Sequence, residues 1–195
     1  MFPTDFSLTL HCHPATPAPV VRALDARAAL NAAGDLELAY CLRGDMVRLR
    51  IPEPRAPERV DGLWEHTCFE VFVGATGHAA YREFNFSPSG QWAAYAFSDY
   101  RERDPALEEA LAQVAAPRIV ARLSAGRLEL EARIAAAALP TPTEGTLLLA
   151  VAAVVEAADL VDGCHSYWAL RHPAARPDFH HRDGFVLPLT SSSAV

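Results

Sequence analysis

Arg127-Leu-Glu-Leu-Glu-Ala-Arg-Ile134 decides the fold. Extended, this stretch puts Leu128, Leu130, Ala132 and Ile134 on one side and Arg127, Glu129, Glu131 and Arg133 on the other. A period of two marks an antiparallel strand with one face in a core and one in water. The same alternation runs from Asp35 to Arg43, with Leu36, Leu38, Tyr40 and Leu42 inward. It runs again through Val47, Leu49 and Ile51, which alternate with Met46, Arg48 and Arg50. Arg43-Gly44-Asp45 lies between these two runs and predicts a hairpin turn. Residues 20–31 are rich in alanine, which favours helix. Yet Leu24, Ala26, Ala28 and Leu30 alternate with Asp25, Arg27 and Ala29, so the segment reads as strand.

Working outward, aromatic and β-branched residues predict strands over 67–74, 81–86 and 91–97. Ser87-Pro-Ser-Gly90 joins the last two as a tight turn, since proline presets φ and glycine accepts a positive one. Asp104-Pro105 opens a short helix reaching Val114, with aspartate as cap. Strands near 118–123, 166–170 and 185–189 complete the set, and 52–62, 140–145 and 173–183 read as loops. Residues 146–155 are apolar on both faces and predict a central strand. About eleven short strands and one helix imply an all-β, two-sheet antiparallel β-sandwich of jelly-roll type. Nothing divides residues 1–195 into separate domains, and 190–195 reads as a disordered tail.

Composition excludes several classes. The chain has 195 residues, 51% hydrophobic and 21% charged, with net charge −7, which does not describe a disordered or collagen-like protein. The longest apolar run, Leu147 to Val155, is too short for a membrane helix. A pI near 5.6 and no basic cluster argue against nucleic-acid binding. The first ten residues carry no secretory pattern, so a cytoplasmic location is expected, with Cys12, Cys41, Cys68 and Cys164 as free thiols.

No phosphate-cradling loop, dinucleotide fingerprint, nucleophile elbow or H-E-x-x-H motif is present, so no motif points to catalysis. The chain instead carries polar residues on strand faces. If the central strands are neighbours, Glu70, Glu83, Asn85 and Trp92 can share one face. Carboxylates and an amide bind hydroxyl groups, and an indole covers the apolar face of a sugar ring. Trp64 and Trp168 sit beside loop–strand junctions, and Arg171 and His172 open a loop that can form a rim. His11 and His13, or His165, His172, His180 and His181 with Asp178 and Asp183, are alternative metal ligands, though none has a recognised spacing.

Four long strings carry a resemblance: Leu63-Trp-Glu-His-Thr-Cys-Phe-Glu-Val-Phe72, Tyr81-Arg-Glu-Phe-Asn-Phe-Ser-Pro-Ser-Gly-Gln-Trp-Ala-Ala-Tyr95, Ser166-Tyr-Trp-Ala-Leu-Arg-His-Pro173 and Pro177-Asp-Phe-His-His-Arg-Asp-Gly-Phe185. From about residue 10 to 189 the chain resembles bacterial DOMON-like proteins, relatives of the family 9 carbohydrate-binding modules. The resemblance implies a β-sandwich that binds sugar or haem and is not usually catalytic. In the sugar-binding relatives tryptophans sandwich a ring while acidic, amide and arginine groups take its hydroxyls. By motif position Glu70, Asn85 and Trp92 carry over first, then Trp64, Trp168 and Arg171. Haem-binding relatives use a methionine and a histidine; Met46 is the only internal methionine and has no assigned histidine partner. The expectation is therefore a non-catalytic domain for a small molecule, a sugar or related polyol, needing no cofactor. A haem- or metal-binding protein is the alternative.

Overall fold

Alternating apolar residues must find a second apolar face, and this chain supplies one by folding its own sheet over. A computed structural model describes residues 7–114, 116–141, 146–158 and 164–189. Its strands are β1 (Leu8–Cys12), β2 (Val21–Leu30), β3 (Leu36–Gly44), β4 (Cys68–Ala75), β5 (Tyr81–Phe86), β6 (Trp92–Asp99), β7 (Glu102–Arg103), β8 (Arg118–Ser124), β9 (Arg127–Ile134), β10 (Leu147–Glu156), β11 (His165–Ala169) and β12 (Leu187–Pro188). The one α-helix among the described residues is α1 (Pro105–Ala112); the Asp104 carboxylate accepts the Leu107 N–H at 3.0 Å, as its capping position requires. The strands hydrogen-bond along a single antiparallel path, β7-β6-β5-β4-β10-β11-β1-β2-β3-β9-β8, with β12 beside β10. β1 pairs with β11 on one side and β2 on the other, so it belongs to both halves.

Far apart on this path, β3 and β4 meet across the core. The Tyr40 and Phe69 rings lie 4.9 Å apart, and the Tyr40 hydroxyl donates to the Glu70 carbonyl oxygen at 2.9 Å. Leu36, Leu38 and Leu42 of β3 and Leu128, Leu130 and Ile134 of β9 join one cluster with Val71 and Val73 of β4 and Phe84 and Phe86 of β5. β10 lies between β4 and β11, and both its faces are covered: Leu149, Val151 and Ala153 join this core, and Ala150 joins a second cluster outside it. That accounts for its unbroken apolar run. Tyr40→Phe removes one buried hydrogen bond between the halves. It is expected to cost about 1 kcal/mol, read as a lower urea midpoint at unchanged slope.

Two local expectations change. Residues 46–51 alternate yet form no strand: Met46–Arg48 is a 3₁₀ turn, and Leu49 makes one isolated bridge to Ala157. β3 is already paired with β2 and β9 on its two edges, so no edge remains for 47–51 to join. The Arg43-Gly44-Asp45 stretch accordingly leads out of the sheet rather than into a hairpin. The turn at 87–90 forms as expected, with Gly90 at φ 91° donating its N–H to the Ser87 carbonyl oxygen at 3.0 Å. All four cysteines are free thiols. The predicted tail, 190–195, lies outside the described residues. No described helix is long and apolar enough to cross a membrane.

Candidate functional site

Cross-strand register builds the floor of a cleft. Glu70 of β4 stands opposite Asn85 of β5, Phe72 opposite Glu83, and Glu83 opposite Tyr95 of β6. Phe69, Val71, Phe84 and Phe86 point to the main core, so pleating turns Glu70, Phe72, Glu83, Asn85 and Tyr95 to the other face. Segments from elsewhere cover that face. The 3₁₀ turn Leu63–Glu65 brings Trp64, β11 brings Tyr167, and the 177–180 segment brings Pro177, Phe179 and His180. Arg101 and Arg103, at and beside β7, form the rim. The cleft, open to solvent on one side, measures about 390 Å³. A larger hollow of about 490 Å³ lies over β2, β3, β8 and β9, lined by charged side chains such as Arg27, Glu37, Arg118 and Glu131. None of the unpartnered buried polar atoms found among the described residues lies there. Two of them, Glu70 Oε1 and Asn85 Oδ1, lie at the floor of the smaller cleft.

Its floor is acidic and dry. Glu70 is 3% exposed and its Oε1 has no partner; burial, then repulsion from Glu83, pushes its carboxyl well above the usual range. Glu83 is 5% exposed and accepts the Asn85 Nδ2–H at 2.9 Å. Burial still pushes its carboxyl up to about 7, against the lowering effect of Asn85 and of Arg101 and Arg103. Asn85 Oδ1 is buried without a partner. At neutral pH the floor thus holds protonated or half-protonated acids that can both donate and accept.

A tyrosine–histidine pair flanks the acids. The Tyr81 hydroxyl accepts the Arg101 backbone N–H at 3.0 Å and lies 2.8 Å from His180 Nδ1. The other ring nitrogen, Nε2, faces Glu83 Oε2 at 3.8 Å. Burial first, and Arg101 next, pull the imidazole down to about 4. The Glu83–His180 contact is therefore one between uncharged imidazole and carboxyl, not an ion pair. Arg101 occupies the left-handed region at φ 56°, an unusual conformation for a side-chain-bearing residue. Its guanidinium bonds Asp178 at 3.0 Å, and the Tyr100 hydroxyl donates to the same carboxylate at 2.8 Å. Arg103 donates to Glu108 at 2.8 Å while lying 4.8 Å over the Tyr95 ring. Both rim cations are thus already paired.

The walls are aromatic. Trp64 is 43% exposed and meets Tyr95 edge-on at 5.7 Å, and Phe179 lies 5.9 Å from Tyr167 and 6.4 Å from Phe72. Tyr81 stacks on Phe97 at 4.7 Å beneath them.

Of the side chains expected from the sequence, Glu70, Glu83 and Trp64 line this cleft and Asn85 underlies it. The others are elsewhere. Trp92 stands opposite Phe86 and packs on the main core, because the tight turn at 87–90 fixes its parity against the acids. Trp168 is buried in that core, its indole N–H donating to Ser166 at 3.0 Å, and Tyr167 takes the cleft-facing position on β11. Arg171 is exposed and outside the lining. His172 Nε2 donates to the His11 carbonyl oxygen at 2.7 Å and the ring sits edge-on to His13 at 4.8 Å, tying the loop to β1. Met46 is buried in the main core. No described group of three or more His, Cys, Asp or Glu side chains is arranged to hold a metal ion. Sequence reasoning missed Phe72, Tyr95, Tyr167 and Phe179 as lining, while His180, considered there as a metal ligand, stands in the cleft wall beside Tyr81. Period two placed Tyr95 with Glu83 once the strands were paired.

No family model and no curated protein matches the chain. Among solved structures it is similar to the crystal structure of a proposed carbohydrate-binding protein from Bacteroides uniformis. The TM-score is 0.64 and the identity 18%, over 95% of this chain and 86% of that one. At that identity, what the two proteins share is the fold.

Proposed function

We propose that this chain is a non-catalytic binding protein whose cleft takes a carbohydrate or related polyol. One observation carries the reading: a floor of buried hydrogen-bonding groups, Glu70, Glu83 and Asn85, lies under flat aromatic walls. A sugar presents hydroxyls around its edge and C–H groups on its faces, and this cleft offers partners for both. The fold neighbour from Bacteroides uniformis supports the reading, as does the resemblance of the motif strings to DOMON-like proteins. The doubled-over sheet is compatible with the sandwich architecture expected of such proteins.

Calorimetric titration against neutral monosaccharides and disaccharides tests it. Saturable binding is expected, weakened about tenfold or more in Trp64→Ala, since an exposed indole contributes on the order of 1.5–3 kcal/mol when a ligand covers it. Trp92→Phe, altered in the core rather than the cleft, is expected to bind like the parent. No heat with any sugar, or titrations unaltered by Trp64→Ala, would refute the proposal.

A further inference from the structure

Building on the reading of the cleft as a sugar site, we propose that its preferred guest is an amino sugar. Its ammonium would seat on Glu70 and Glu83 and its ring face would lie against Trp64. Two carboxyl groups, both almost fully buried, occupy the floor, and one carboxyl oxygen, Glu70 Oε1, has no partner. Asn85 Oδ1, beside it in the strand register, is a second buried acceptor without a donor. A guest that brings donors fits these acceptors, and an ammonium brings three together with a positive charge that favours the ionised form of both acids.

The protein cannot supply that charge itself. The chain contains no lysine. The cations lining the cleft are Arg101, held by Asp178, and Arg103, held by Glu108 and resting on Tyr95. His180 uses Nδ1 on Tyr81 and lies beyond hydrogen-bond range of Glu83. With both arginines engaged, an anionic sugar has no free cation to meet, whereas an amine meets two acids. Phe72, Phe179 and Tyr167 line the same space and can face a cation with their negative ring surfaces.

The titratable groups around the seat are Cys68 and Glu70 on β4, Tyr81 and Glu83 on β5, Tyr95 on β6, Arg101 and Arg103 at the rim, Glu108 on α1, Tyr167 on β11, and Asp178 and His180 in the covering loop, with Tyr40 of β3 behind Glu70. Of these, the two glutamates are the acids whose carboxyls burial raises, Glu83 to about 7 and Glu70 well above its ordinary value. An entering ammonium stabilises their ionised form, so each acid that ionises sends its proton to the buffer. The preference for the amine should therefore widen as pH rises from 5 to 7 and come with net proton release.

The experiment compares three series by calorimetry at pH 6.5: glucose, glucosamine and N-acetylglucosamine, and the matching galactose and mannose sets. Titrations in two buffers of different ionisation enthalpy read the protons. Glucosamine, or its counterpart in one series, is expected to bind at least tenfold more tightly than both the neutral parent and the acetylated form. It should release protons, and Glu70→Gln or Glu83→Gln should shrink the ratio towards one. Parent-protein ratios and proton counts stand even where a variant folds poorly. Neutral sugars binding as well as or better than amines would overturn this inference and leave the sugar site intact. An amine preference unchanged in both variants would also overturn it, since the amine would then sit elsewhere. Failure of every neutral and amino sugar would remove both proposals.

Discussion

Glu83→Gln is expected to gain about 2–3 kcal/mol of folding stability relative to the parent protein when both are moved from pH 5 to pH 8. The Glu83 carboxyl rises from an ordinary 4.5 to about 7 on folding, because burial outweighs its hydrogen bond from Asn85. Between those values the folded state holds a proton that the unfolded state has released. The resulting stability is fully present below pH 4.5 and is lost as pH rises through about 7. At about 1.4 kcal/mol per tenfold, the displacement corresponds to about 3 kcal/mol, and the side chain is too buried for solvent to screen it away. Glu70 acts in the same direction. His180 opposes them: its imidazole falls from 6.5 to about 4, so its contribution is present above 6.5 and is lost as pH falls through about 4. Over pH 5–6.5 the histidine offsets much of what Glu83 does, which is why a pH profile of the parent alone is a blunt test. The difference between the parent and Glu83→Gln reports that carboxyl together with the part of the Glu70 rise that it causes. Denaturant midpoints of both proteins at pH 5 and 8 supply it, and a gap that stays constant would show that Glu83 titrates normally.

Phe69→Ala is expected to cost about 3–5 kcal/mol, the larger part of what a domain of this size usually has. Phe69 is fully buried at the seam where β4 faces β3, with its ring 4.9 Å from Tyr40. Truncation leaves a void bounded by strands whose hydrogen bonds on both sides prevent collapse. Phe69→Leu, which keeps most of the volume, should cost far less. Equilibrium urea unfolding measures both; a loss under about 1 kcal/mol for the alanine variant would mean that the halves are not packed there.

Much of this was legible because a period of two survives translation into structure. β9 and β3 match their alternating runs, β10 is central as its two-sided apolar run implies, and Asp104 caps the helix. Glu70, Glu83 and Asn85 share a face for the same reason. Where the sequence misled, tertiary partners decided. Residues 46–51 alternate but find no free edge beside β3. Trp92 obeys the parity set by the turn at 87–90, so a one-residue relation sends an indole to the core instead of the cleft. Tyr167 and Trp168 are adjacent, and only the position of β11 beside β10 tells which of them faces the cleft. The aromatic lid at 177–180 comes from an irregular loop, whose path no periodicity encodes.

The double membership of β1 has a consequence for how this protein is made. During synthesis β1 precedes every other strand described here, yet one of its two neighbours, β11, begins only at His165. β4 likewise waits for β10, from Leu147 onward, before its second edge is paired. Early hairpins can form on emergence, but two apolar strand edges stay open until most of the chain has been translated. Nascent chains should therefore depend on holding factors late in elongation, and stalled or truncated products that stop before residue 147 should be the ones that aggregate.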